Sequence, residues 1–317
     1  MDHPGRIFQY GLTTYNDTKR RVFEDVKMSV CILFSESARH KNYDFKLNIW
    51  EDKFMNFAKQ VTLNNYDVLN FDMSDSKIPS INQDETNILK KISHNTRLKQ
   101  FARCYEGEIN LTFHKKYLRK EKTNNSKMIK GAAVQKWLIK EKMSQGEIEF
   151  LDHISYLKEN KGNKSQHYRY KRIVMQGITG VDEKYRLKMT IIEPKIFCGN
   201  SVNYILIEDE NIIYEYVLAL LNSHLLNWYF KVFSTNSNVN GYEVDNFPIP
   251  KISVIEQKPF IELANKILAI TKDDDYLTNS TKQAKVKEYE HQIDQLVYKL
   301  YGLTEDEIKI VEKHNEI

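Results

Sequence analysis

The chain has 317 residues, 41% hydrophobic and 28% charged, enough to bury one large core or two to three small ones. No apolar run approaches the roughly 18 residues that a membrane span requires, and Met1 to Tyr10, with His3, Pro4 and Arg6, holds no hydrophobic leader stretch. Cys31, Cys104 and Cys198 lie far apart without CxxC spacing, which speaks against a disulfide framework or a zinc knuckle and for a reduced, cytoplasmic protein.

The net charge of +4 is unevenly spread. Residues 90–142 hold fifteen Lys/Arg against four Asp/Glu, residues 158–195 hold ten against four, and residues 253–317 reverse the balance with nine against thirteen. A basic middle followed by an acidic tail suits a polyanionic partner. A lysine-rich solvated surface would give the same totals, so charge alone leaves both readings open.

In chain order, Val30 to Phe34 is an apolar run of strand length, and Phe45, Leu47 and Ile49 alternate at period two. The two predict the last hairpin of a sheet within residues 1–84, marginal without a partner. A short helix follows at Glu85 to Ile92, with Ile88, Leu89 and Ile92 on one face. Strands are predicted at Ile109 to Phe113, Arg172 to Gln176, Lys188 to Ile192 and Tyr204 to Ile207. One helix is expected over Tyr214 to Val232, with Val217, Leu218, Leu221, Leu225 and Tyr229 aligned. Phe247-Pro248-Ile249-Pro250 can continue neither a helix nor a central strand, and closes a zone spanning 85–252. The remainder, 253–317, reads as a helical tail. One helix has Pro259 in its first turn, a second carries Val286, Tyr289, Ile293, Leu296 and Leu300, Gly302 ends that helix, and Thr304 with Glu307 forms a capping box for the last.

Catalytic signatures are missing in a specific way. S-adenosylmethionine binding needs a glycine-rich turn, and no GxG occurs. Methyl transfer to an exocyclic base amine needs an Asn/Asp-Pro-Pro-aromatic loop around the flipped base, and no two of the six prolines are adjacent. Glu51-Asp52-Lys53 and Glu159-Asn160-Lys161 fit the Glu-x-Lys part of a magnesium nuclease, but no Pro-Asp precedes either. HExxH, GxSxG and P-loop patterns are absent, and His224 reads as structural.

Two segments combine the side chains a DNA reader uses. Gln166-His167-Tyr168-Arg169-Tyr170-Lys171-Arg172 mixes cations that neutralise phosphates with aromatic and amide groups. A charge-protected strand edge is the alternative there. Ser234-Thr235-Asn236-Ser237-Asn238-Val239-Asn240-Gly241-Tyr242 offers short amides and hydroxyls after a strong helix, where an ordinary surface loop would look the same.

The passage Leu220 to Phe230 (LLNSHLLNWYF), followed by Ser234-Thr235-Asn236 and Phe247-Pro248-Ile249-Pro250, resembles the end of a TaqI-like C-terminal specificity domain of adenine-type methyltransferases and type IIG restriction-methylase fusions. Ile293 to Thr304 is similar to the helix that closes such proteins, and Arg21 to Leu33 to the final strands of the preceding methyltransferase domain. Gly107-Glu108-Ile109 and Lys130-Gly131-Ala132-Ala133-Val134 sit where a GEI and a G-x-x-I/V element are expected.

The resemblance implies a mixed α/β chain: a partial Rossmann-like methyltransferase remnant over 1–84, an α+β target recognition domain over 85–252 and a helical tail over 253–317. It implies double-stranded DNA as partner, S-adenosylmethionine as cofactor of the complete enzyme but not of this chain, and a separate catalytic domain or subunit. The expected DNA contacts are Arg169, Tyr170, Lys171, Arg172 and Arg186, together with Gln176, Asn200, Asn236, Asn238 and Asn240. A subunit of a split methyltransferase and a fragment without function are the alternatives.

Overall fold

The computed structural model describes residues 42–50, 57–72, 77–79, 81–141, 149–180, 183–234 and 237–316. The chain divides into two compact units, Met1–His94 and Asn95–Ile317.

In the first unit, β1 (Asp44–Trp50) pairs antiparallel with β2 (Phe57–Asn64), Phe45 opposite Leu63 and Leu47 opposite Val61, all four buried. The period-two alternation put those side chains on one face. The run Val30 to Phe34, expected to form the hairpin with β1, lies outside the described residues, as do Arg21 to Leu33. Asn64 ends β2 and caps α1 (Asn65–Phe71), its Oδ1 accepting from the Tyr66 amide at 2.9 Å. The predicted short helix is α2 (Gln83–Ser93), started by a reciprocal Asn82/Glu85 capping box and burying Ile88, Leu89 and Ile92. It falls in the first unit, whereas the sequence reading began a new zone at Glu85.

The second unit is a mixed α/β body. Its chain order begins with β3 (Ala102–Glu106), β4 (Leu118–Arg119), β5 (Ser126–Ile129), β6 (Val134–Gln135), β7 (Leu138–Ile139), β8 (Glu149–Leu151) and α3 (His153–Glu159). It continues with β9 (Arg172–Gln176), β10 (Met189–Ile192), β11 (Phe197–Cys198) and β12 (Val202–Ile207). The helices α4 (Tyr214–Leu221), α5 (His224–Phe233), α6 (Gly241–Asp245), α7 (Val254–Thr271), α8 (Ser280–Leu300) and α9 (Glu305–Glu316) complete it.

The main sheet has the order β10-β9-β12-β3, antiparallel throughout. A second sheet, β11-β5-β8-β4, contains one parallel pair, β11 with β5. Val174, Ile192, Val202 and Tyr204 from the first sheet close a core with Ile129 and Cys198 from the second. Helix α4, buried from Tyr216 to Leu221, packs beside β9, β10 and α7.

Three local expectations change. Ile109 to Phe113 is no strand: Ile109 makes a single bridge to Gly199, and the chain then turns back through Asn110 to His114. The single helix expected over Tyr214 to Val232 is two, broken at Asn222-Ser223. Ser223 Oγ caps α5 by accepting from the Leu226 amide, and the Asn222 side chain binds both the amide and the carbonyl of Met189 at the start of β10. A hydroxyl and an amide that bond backbone locally interrupt a helix more readily than the flanking leucines can continue it. Helix α7 starts at a Ser253/Glu256 capping box, so Pro259 lies inside it instead of in its first turn. The Phe247 to Pro250 segment is buried and meets the entry to the unit: the Leu98 amide donates to Phe247 O and the Ile249 amide to Thr96 O.

Candidate nucleic-acid interface

Two glycines set how closely the sheets approach. A Cβ on Gly107 would lie 2.0 Å from Gly199 O, and one on Gly131 2.4 Å from Ser201 O. Both segments therefore dovetail into the crossing between β11 and β12, with Gly107 N donating to Val202 O (2.7 Å) and Gly131 N to Ser201 Oγ (2.9 Å). These are the GEI and G-x-x-V elements, and their glycines answer to backbone contact within the chain.

The glutamate between them explains a correction. Glu108 Oε1 and Oε2 accept from Arg172 Nη1 at 2.9 and 3.2 Å, and both side chains are 0% exposed. Arg172 Nη2 donates to the Ile196 carbonyl, and its guanidinium lies 4.8 Å from the Tyr204 ring, whose hydroxyl meets His167 Nδ1 at 2.9 Å. Burial raises the Glu108 carboxyl above its ordinary range, and Arg172 opposes the rise. Arg172 was expected to reach phosphate or guanine. Sealed inside the unit, it joins β9 to the Gly107-Glu108-Ile109 segment and presents nothing to a ligand.

Arg186 is also interior. It is 1% exposed, its Nε donates to Thr179 Oγ1 (2.8 Å), its Nη2 to Asn238 O (3.4 Å), and its guanidinium lies 5.1 Å from the Phe230 ring. Expected as a DNA contact, it instead ties the 177–180 loop to the loop that follows α5. Thr179 N donates to Ser237 O and Val239 N to Gly177 O, and Asn203 Nδ2 donates to Val239 O at 2.6 Å.

The remaining expected contacts separate into two groups. Arg169 is exposed, with Nε 3.4 Å from Tyr168 Oη; Tyr170 is 56% exposed; Lys171 is half-buried, paired with Glu215 and 5.6 Å from the Tyr214 ring. All three precede β9. At its other end, Gln176 is half-buried and donates to Val134 O, while Asn238 is exposed and bridges Ile178. Asn240 is half-buried and caps α6, sharing a capping box with Glu243. The strand rise of about 3.3 Å per residue puts the two ends roughly 13 Å apart, so the two sequence segments do not converge on one spot. Asn200 is half-buried, its amide donating to Ile109 O at 2.9 Å. Asn236 lies outside the described residues.

Sequence reasoning missed several exposed groups beside these. Lys195 is exposed at φ +73°, its amide donating to Tyr168 O, so it stands next to Arg169. Lys164 is exposed; burial lowers both the His114 and His167 imidazoles below their usual range, with Lys164 adding to the fall at His114 and Arg172 and then Lys164 at His167. Phe113 and Ile178 are 79% and 65% exposed. Only a Lys/Arg count could have flagged the lysines, and it does not say which face them. Among the described residues no group of three or more His, Cys, Asp or Glu is placed to hold a metal, and no helix is long and apolar enough to cross a membrane.

Residues 103–249 match the family model of the TaqI-like C-terminal specificity domain. The type IIL restriction-modification enzyme MmeI, solved in complex with DNA, is similar in structure at a TM-score of 0.50 and 9% identity, over 99% of this chain and 46% of that one. The type IIG restriction endonuclease BpuSI aligns with a TM-score of 0.38 and 10% identity (93% and 44% covered). The HsdS subunit from Thermoanaerobacter tengcongensis aligns with 0.32 and 9% (69% and 50% covered). The chain thus spans half or less of the length of these solved chains, and no curated relative matches it. The segment 103–249 is thus matched to the TaqI-like C-terminal specificity domain, as the resemblance in sequence implied.

Proposed function

We propose that the chain recognises a double-stranded DNA sequence for a restriction-modification DNA methyltransferase and does not itself transfer the methyl group. The observation that carries this reading is the specificity-domain match over residues 103–249, the stretch that holds most of the basic surplus. Arg169 and Tyr170, with Lys171, Lys164 and Lys195 nearby, form the phosphate-engaging end. The paired loops bearing Ile178, Asn238 and Asn240, with Gln176 behind them, form the second contact region, and a duplex spans both. Arg172 and Arg186 belong to the scaffold of each end and not to the contact set.

The adenine-type chemistry, the S-adenosylmethionine and the flipped base belong to a catalytic domain or subunit, of which residues 1–84 represent the Rossmann-like edge. The described residues do not fit that cofactor. It needs glycine-bordered space for its methionine part, and the two glycines of closest backbone approach, Gly107 and Gly131, are already filled by Gly199 O and Ser201 O. A related reading has this chain act together with a methyltransferase domain or subunit.

The test is Arg169→Ala with Lys171→Ala in gel-shift series at several salt concentrations. Each lost phosphate contact reduces the slope of log K against log salt by about 1. Wild-type affinity and slope in the double variant would remove this end from the interface, and failure of the wild type to bind duplex DNA would sink the reading.

A further inference from the structure

The most exposed large apolar side chain among the described residues, Phe113, stands on a turn with little freedom to move. Asn110 Oδ1 accepts from the amides of Thr112 (3.0 Å) and Phe113 (3.1 Å), the His114 amide donates to Asn110 O (2.9 Å), and the Asn110 amide donates to His114 Nδ1 (3.0 Å). The base of the turn is anchored: Ile109 is fully buried and bridged to Gly199, and the His114 ring sits edge-on to Tyr156 at 5.1 Å. The Asn110 bond needs a His114 Nδ1 without a proton, and burial plus the Lys164 charge favour the neutral ring. The turn is thus held shut while 79% of the Phe113 surface faces water. A rigid tip that exposes a phenyl ring pays hydration cost without gaining anything for the fold.

The surroundings select the occupant. Lys115 follows in the chain, exposed, and Lys164 is close enough to act on His114. The carboxylates at this end are already matched, Glu159 by Lys116 at 2.6 Å and Asp152 by Arg119 at 3.0 Å. An apolar tip within a positive rim fits a groove walled by phosphates. Lysine is depleted at protein–protein interfaces, where the apolar centre excludes charge. Apolar wedges of this kind unstack base steps in nucleic-acid complexes.

We propose that the Asn110–His114 turn is a wedge that presses the Phe113 ring against base or sugar faces of the bound duplex, with Lys115 and Lys164 on the flanking phosphates. This rests on the DNA-recognition reading and adds a contact that supplies affinity without adding charge.

The experiment uses the full chain and a duplex library with a randomised centre, enriched on the immobilised wild-type protein. Phe113→Ala should weaken binding to the enriched pool about tenfold or more, the loss expected for one stacked ring, with the salt slope unchanged. Phe113→Trp should restore affinity, and its emission, taken as the difference from wild type, should be quenched on binding. Lys115→Ala with Lys164→Ala should instead flatten the salt slope. Phe113 is exposed, so its variants leave the core intact. Wild-type affinity of Phe113→Ala for the pool overturns the wedge and leaves DNA recognition standing. A Phe113→Ala variant that binds the pool normally but loses a methyltransferase polypeptide assigns the ring to a protein contact and also overturns it. If wild-type protein enriches no sequence, the DNA reading fails and the wedge with it.

Discussion

Two interior charge clusters of the second unit are built on opposite plans. In the first, Glu108 and Arg172 close on each other between strands, both at 0% exposure, with the Tyr204 ring over the guanidinium. In the second, at the junction of the β6–β7 hairpin with α8, Lys136 Nζ and Trp137 Nε1 both meet Glu290 Oε1 at 2.8 Å. Beside them the His224 amide donates to Asp294 Oδ1 (2.8 Å), His224 Nδ1 lies 3.3 Å from Asp294 Oδ2, and His224 Nε2 meets the Tyr185 hydroxyl at 3.0 Å. Burial pushes Asp294 up to about 7 and His224 down to about 4. Lys136, Glu290 and Glu312 also act on Asp294, and Lys136, Glu290, Lys184 and His291 on His224. The first cluster depends on opposite charges being kept, whereas in the second burial disfavours the charged forms of both Asp294 and His224. A sealed pair is intolerant of losing a partner, whereas a hydrogen-bonded cluster with ionisable members responds to pH.

The contrast breaks most visibly at Glu108. Glu108→Ala strands Arg172 in the interior and should cost about 3–5 kcal/mol in urea unfolding. Pairing it with Arg172→Met should recover most of that loss, since no buried charge is then left alone. A small effect of Glu108→Ala alone would show that the pair is not the sealed element described.

At the second cluster the expected signature is a slope. In the folded chain near pH 5 the pair carries one proton, on Asp294; unfolded, it also carries one, on the histidine. Wild-type stability is therefore nearly flat in this pair's contribution between about pH 4 and 6.5. Asp294→Asn leaves His224 with its lowered value, so stability relative to wild type should fall as pH drops from 6.5 towards 4. His224→Gln leaves Asp294 with its raised value, so stability should fall as pH rises from 3.8 towards 7. Each slope approaches about 1.4 kcal/mol per pH unit. Slopes of the same sign in the two variants would contradict the opposite shifts that burial imposes on the two groups.

Smaller effects sharpen the picture. Glu290→Gln keeps an acceptor for Trp137 but removes the charge facing Lys136, and should cost about 1–2 kcal/mol. Asn240→Ala, outside both clusters, removes the bond from Asn240 Nδ2 to Glu243 Oε2 at the start of α6 and should cost about 1 kcal/mol. Unchanged DNA affinity in that variant would assign the Asn240 side chain to its Glu243 bond alone, whereas weakened binding at unchanged stability would return it to the contact set.

The elements read correctly from sequence are those whose signals are local. Strand β9 matches its expected span, Gly302 ends α8 at φ +68°, and Thr304 with Glu307 forms the predicted box before α9. The misread elements depend on distant partners. Ile109 to Phe113 has strand-like composition, but its next neighbour is the Gly199 crossing, and Asn110 closes the chain into a turn. The candidate site was legible as a region and not as a residue set. Arg169 and Arg172 look alike in a basic segment, yet the buried strand β9 and the carboxylate of Glu108 draw one inward and leave the other in solvent.

By itself the sequence determined the family of residues 103–249, the mixed α/β character, the capped helices of the tail and the lack of methyltransferase motifs. Each is written in local order or in motif succession. Only the tertiary structure decided which cations face solvent, that the two candidate segments stand at opposite ends of β9, and that Phe113 is held outward. Those outcomes depend on contacts between residues far apart in the chain, such as Glu108 with Arg172, 64 positions away. A charge count registers such a cation, but only the fold sets whether it meets water, a carboxylate or a phosphate.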